Sequence, residues 1–243
     1  MLFDGGANAE ILNDNHSIET FHSQQITLHL LNPQQTRLQI ERHIRSLNDP
    51  GTNSKTSLKS AAAEKIFTIL QAHYKKTNSD PAYLAEDFKK IANYYSEFPQ
   101  VIALIDPLKD KNWVLSYDED NWDTVASGNE FQVEKAVIHF NTRSAAQLLL
   151  NRKCSDNPVC IASPADALLH ELLHTYSMLV DSTQFVSQGG MNNVLYPYQH
   201  EYAIIDAERK LYASMSRVDE VKRPQRTDHT GRAVIAHCPV CIK

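Results

Sequence analysis

Asp166-Ala-Leu-Leu-His-Glu-Leu-Leu-His-Thr-Tyr176 carries two histidines and a glutamate in the order H-E-x-x-H, at positions 170, 171 and 174. Residues four apart on an α-helix share a face, so His170 and His174 can offer two imidazoles to one metal ion. Glu171 stands beside them, placed to polarise a metal-bound water. The residues leading in, Ser163-Pro164-Ala165-Asp166, read as a helix start, with serine as N-cap, proline at N1 and an acid at N3. Leu168, Leu169, Leu172, Leu173, Tyr176 and Leu179 put apolar groups around much of the circumference, which predicts a central, buried helix.

Catalytic zinc needs three protein ligands and an open position for water, so the third ligand decides the class. The metzincin pattern H-E-x-x-H-x-x-G-x-x-H requires a glycine at 177 and a histidine at 180; the chain has Ser177 and Val180, which excludes that class. The remaining common solution is a glutamate from a following helix. Glu201 is the best placed, because it opens a helical stretch, Glu201-Tyr-Ala-Ile-Ile-Asp-Ala-Glu-Arg-Lys-Leu-Tyr212, whose apolar positions can pack on the motif helix. Glu208, two turns on and on the same face, is the second choice as ligand and otherwise a partner for a ligating histidine. Asp181 and His200 are weaker alternatives. In this scheme Glu171 takes a proton from the zinc-bound water and passes it to the leaving amine of a peptide bond. Tyr196, Tyr198, Tyr202, His229 and Arg209 are candidate donors to the oxyanion, with Tyr198 and Arg209 the first choices.

The 243 residues are 42% hydrophobic, enough to bury a sizeable core, and carry a net charge of −5 with dispersed basic residues. Nothing marks a nucleic-acid surface or a polybasic membrane patch. No apolar run is long enough to span a bilayer, and the N-terminus has neither the basic nor the apolar region of a Sec-type signal. Cys154, Cys160, Cys238 and Cys241 are too few for a disulfide scaffold; unpaired thiols in a reducing compartment are expected, with a disulfide or a structural zinc site as alternatives.

Along the chain, residues 1–36 are polar and read as a mobile leader, and 37–243 as one catalytic domain. Its first part, 37–99, reads as mainly helical, and 100–243 as sheet, motif helix and third-ligand helix. A turn cluster at Asn48–Ser54 precedes a helix over Ser57–Lys76, and a second helix starts at Asp80-Pro81 with Leu84, Phe88, Ile91 and Tyr95 on one side. Val101–Ile105, Trp113–Tyr117 and Lys135–Phe140 read as strands separated by polar loops. The strand near residues 135–141 is expected at the edge of a small sheet above the motif helix, where an extended substrate can pair with it. His139 is a candidate for the cleft lining. Residues 181–198 read as a loop, Tyr198–Arg217 as a helix, and 223–243 as an irregular tail ending His237-Cys-Pro-Val-Cys241. The fold class expected is therefore α+β and zincin-like, a small sheet packed over a central H-E-x-x-H helix with further helices.

Ala167-Leu-Leu-His-Glu-Leu-Leu-His-Thr-Tyr176, then Glu201-Tyr-Ala-Ile-Ile and Ala207-Glu-Arg-Lys-Leu-Tyr212, resemble the bacterial secreted effector zinc peptidases of the NleD type, over roughly residues 135–231. The H-E-L-x-H core is also similar to that of clostridial neurotoxin light chains, which share the glutamate-zincin plan. The resemblance implies His170, His174 and Glu201 as zinc ligands and Glu171 as base. It also implies export by a non-Sec route, action in a host-cell cytoplasm, and a host signalling protein such as a MAP kinase as substrate. The glycine expected soon after the second histidine arrives only at Gly189, and the Cys238–Cys241 tail is not part of the pattern. Two other readings compete: a binding protein in which zinc is structural or absent, and a housekeeping zinc peptidase acting on small peptides.

Overall fold

The motif helix begins where the sequence dictates, at Pro164, and runs to Leu179 in a computed structural model that describes residues 56–148, 160–192, 198–228 and 231–241, residue 198 by its backbone alone. The polar segment 1–36, the turn cluster at 48–54 and Cys154 lie outside the described residues. In chain order the elements are α1 (Ala61–His73), α2 (Leu84–Tyr95), α3 (Pro99–Ile105), β1 (Trp113–Tyr117), β2 (Asp123–Asn129), β3 (Gln132–Phe140), β4 (Ser144–Leu148), β5 (Ile161–Ala162), α4 (Pro164–Leu179), α5 (Ser182–Ser187), α6 (Tyr198–Asp219) and β6 (Gly231–Ile235). The fold is α+β. No described helix is long and apolar enough to cross a membrane.

Two three-stranded sheets flank the motif helix α4. In the first, the order is β1-β3-β2, with β1 parallel and β2 antiparallel to β3. In the second, β4 lies between β5 and β6 and is antiparallel to both. Burial of Ala136, Ile138 and Phe140 shows the β3 face that meets α4. Residues 135–140 are therefore central, not an edge as the sequence suggested, and β2 takes the outer position. A two-residue turn, Glu130-Phe131, joins β2 to β3, and the register shifts at Ser127/Gly128. Gly128 has φ +154°, and a Cβ there would stand 2.1 Å from the Gln132 carbonyl oxygen, so the bulge requires glycine.

Other boundaries differ for physical reasons. Val101–Ile105 is helix, not strand: Pro99 occupies the first turn, where its fixed φ favours a helix, and a short run of all-apolar residues has no period to separate buried strand from buried helix. The helix expected from Ser57 starts at Ala61, because Ser60 caps it by accepting from the Ala63 N–H at 3.1 Å. The second helix starts at Leu84, after a turn closed by the Leu84 N–H donating to Pro81 O. Residues 181–198 hold the short helix α5, and the tail holds β6. Cys238 and Cys241 form a disulfide, which corrects the expectation of free thiols, and Cys160 is disulfide-bonded as well.

The N-terminus of α4 is held from several directions. Proline at N1 has no N–H, the Ala165 N–H donates to Pro239 O at 2.7 Å, and the Asp166 N–H donates to Ser163 Oγ at 3.1 Å. The first three helical positions are thus accounted for, the first by having no N–H and the next two by their acceptors. Tyr94 and Tyr95 from α2 donate to Asp166 Oδ1 and Ala165 O, each at 2.6 Å, and Tyr212 from α6 donates to Asp166 O at 2.7 Å. Arg223 ties Tyr94 Oη (2.7 Å) and Asp219 Oδ2 (2.5 Å) to the same corner. Leu168, Leu169 and Leu172 are fully buried, each contributing roughly 2 kcal/mol of burial free energy. Within α4 only Leu173, Tyr176 and Ser177 are partly exposed.

Substituting Ser163→Ala removes one of these caps, and we expect it to lower folding stability by about 1 kcal/mol, read as a fall in Tm of a few degrees. An unchanged Tm would show that the cap carries no weight.

Candidate metal centre

The i, i+4 spacing on α4 brings His170 and His174 side by side, with Nε2 atoms 3.0 Å apart. Helix α6 then passes α4 antiparallel, as three rungs show. Glu201 meets His174, Glu208 meets His170, and Tyr212 meets Asp166. Glu201 Oε1 stands 3.2 Å from His174 Nε2, and the three ligand atoms of His170, His174 and Glu201 lie within 4.8 Å of one another, a cluster that could hold a metal ion. Donor atoms bound tetrahedrally at 2.0–2.1 Å stand roughly 3.3 Å apart, so the separations of 3.0 and 3.2 Å fit one ion between them.

The outer nitrogens of both imidazoles have their own partners. Glu208 Oε2 lies 2.8 Å from His170 Nδ1, and Arg226 Nη2 lies 2.5 Å from the same nitrogen. Nδ1 cannot serve both groups in the same way. If it accepts from Arg226, the proton moves to Nε2 and ligation is lost; if Nδ1–H donates to Glu208, Nε2 keeps its lone pair for a metal. The second arrangement agrees with the fork in which Arg226 donates through Nε and Nη2 to Glu208 Oε1 and Oε2, at 2.9 and 2.7 Å. Burial opposes the Arg226 charge, but the Glu208 carboxylate outweighs it and raises the guanidinium pKa. His200 Nε2 lies 2.9 Å from His174 Nδ1. Burial lowers the His200 pKa to about 4, so this imidazole is neutral and can accept the His174 Nδ1 proton, again freeing Nε2.

Glu171, 2% exposed, points to a different neighbour. Thr124 on β2 donates its hydroxyl proton to Glu171 Oε2 at 2.7 Å, and Thr175 donates to the Glu171 backbone oxygen at 3.0 Å. The cluster thus combines two imidazoles and one carboxylate, and the Glu171 carboxylate, next to His170 in the chain, is oriented by Thr124.

Of the residues expected from sequence, His170, His174 and Glu201 come together, Glu171 follows His170 on α4 with its carboxylate held by Thr124, and Glu208 takes the role of histidine partner. His200 is a partner of His174 and not a ligand. Arg209 is exposed on the outer face of α6, away from the buried face bearing Glu201 and Glu208, so it is not brought to the cluster. The Tyr198 side chain, Tyr196 and His229 lie outside what is described; Tyr202 is 66% exposed. Asp181 precedes α5 and is exposed. His139 lies beside Asp123, its Nδ1 2.5 Å from Oδ1, a hydrogen bond that raises the imidazole pKa. Both alternate with the α4-facing residues Thr124 and Ile138, so His139 belongs to the opposite face of the sheet and not to the cluster. Thr124 and Arg226 were missed: they stand 47 residues before and 56 residues after the motif residues they touch, with no local spacing to mark them.

If the cluster takes a metal, Glu208→Gln should weaken its affinity about 10–100-fold in chelator competition with zinc as the probe, because the amide orients His170 less firmly. It should also lower the Tm of the metal-free chain, since Arg226 loses its paired charge. Equal zinc affinity in the two proteins would remove Glu208 from the site. No protein-family model, no curated protein and no solved structure matches this chain.

Proposed function

We propose that the chain is a zinc-dependent endopeptidase of the glutamate-zincin plan. The observation that carries this reading is the convergence of His170 Nε2, His174 Nε2 and Glu201 Oε1, with Glu171, the neighbour of His170 in the chain, held at its carboxylate by Thr124. Two imidazoles and one carboxylate form a donor set suited to zinc that leaves a fourth position open. Bound zinc supplies Lewis acidity, which brings the pKa of water toward neutrality and polarises a carbonyl.

The chain's own groups do the rest of the work. Glu171 accepts a proton from the attacking water and returns it to the leaving amine. Glu208 and His200 keep both ligating imidazoles in the tautomer with the lone pair on Nε2. Among the described residues no strand pairs with the outer side of β2, and the same strand carries Thr124 against Glu171. An extended protein segment added along that side would lie close to the base, which favours a polypeptide substrate over a small molecule. The resemblance to NleD-type effectors extends the proposal to a host signalling protein, such as a kinase, cleaved after export by a non-Sec route into the host cytoplasm.

The test is zinc content and proteolysis in two variants. Glu171→Ala should keep about one zinc per chain and lose activity by at least about 10³-fold, whereas Glu201→Ala should lose the metal and the activity together. Undiminished hydrolysis in Glu171→Ala would overturn the mechanism. Zinc binding by the wild type with no new N-termini in host-cell proteins, compared with Glu171→Ala, would leave a binding protein in its place.

A further inference from the structure

We propose that Thr124 is a positioning residue for Glu171, an inference that rests on the peptidase reading above. Thr124 lies on the outer strand β2, is 3% exposed, and sits in register with the fully buried Ile138 of β3. Its hydroxyl is 2.7 Å from Glu171 Oε2 and 3.2 Å from the Glu171 backbone oxygen. A hydroxyl has one proton to give. The backbone oxygen already receives the Thr175 hydroxyl at 3.0 Å, so the Thr124 proton goes to the nearer carboxylate oxygen.

A glutamate side chain has three torsions, and i, i+4 spacing on α4 does nothing to fix them. The Thr124 hydroxyl supplies that constraint from another element, anchored by β3 against the helix. Placement within a fraction of an ångström governs the rate of proton transfer, so losing the contact should act on turnover more than on binding. A packing role would be filled equally by valine, which has the same shape without the hydroxyl. Thr124 also belongs to the strand along which a substrate would add, so docking and base orientation share one element.

The experiment uses the full chain loaded with zinc, as wild type, Thr124→Val and Thr124→Ser. The valine form should keep its zinc, hold its Tm within a few degrees, and lose about 10–100-fold in kcat with KM little changed; serine should restore kcat to within about threefold. Crystal structures of the zinc-loaded wild type and valine forms should show the Glu171 carboxylate displaced only in the second. Wild-type kcat in the valine form, or an unmoved carboxylate, would overturn the proposal. If valine prevents folding, Thr124→Ala carries the same expectations. If the wild type cleaves no polypeptide yet the carboxylate shifts on substitution, the hold of Thr124 on Glu171 stands and the peptidase reading is what fails.

Discussion

The antiparallel crossing of α4 and α6 is the constraint on which the rest depends, because it faces two imidazoles one turn apart on α4 with two carboxylates two turns apart on α6. His174 meets Glu201 and His170 meets Glu208, all four residues buried. Burying a carboxylate such as Glu208 at 1% exposure is unfavourable unless its charge and lone pairs are met. Arg226 and His170 meet them, and the same contacts set the histidine tautomer. The electrostatic need of the interior and the needs of a metal ligand are therefore satisfied by one arrangement.

Holding that crossing in place takes contributions from distant parts of the chain. Two tyrosines of α2 and one of α6 fix the start of α4, and the turn closed by Cys238 and Cys241 presents the Pro239 carbonyl to the Ala165 N–H. On the other side, β3 packs Ala136, Ile138 and Phe140 against the helix and so fixes the position of its partner β2. The tail that looked irregular thus helps to hold the helix N-terminus, and β2 holds the Glu171 carboxylate through Thr124.

What was legible in the sequence was the chemistry written at short spacing. The 170/174 pair, the Ser163-Pro164 start and the Glu201/Glu208 pair all follow from helical geometry, and each is found where that geometry puts it. Strand β2 was hidden because Asp123-Thr-Val-Ala-Ser-Gly-Asn129 is an outer strand whose far end is exposed and polar, so it resembles a loop. Val101–Ile105 was ambiguous because full burial erases periodicity. Arg209 was a reasonable choice by charge, but one residue beyond Glu208 is a 100° turn away from the buried face. Thr124 and Arg226 belong to long-range contacts, which no local pattern encodes.

Two histidines of α4 and one glutamate of α6 form a cluster that could hold one metal ion. X-ray absorption at the zinc K-edge of the purified, zinc-loaded chain tests it most directly. A zinc ion at this cluster should show two imidazole nitrogens and further oxygen or nitrogen donors at about 2.0–2.1 Å, with no sulfur. A shell containing sulfur at about 2.3 Å would place the metal at cysteines and rule this cluster out.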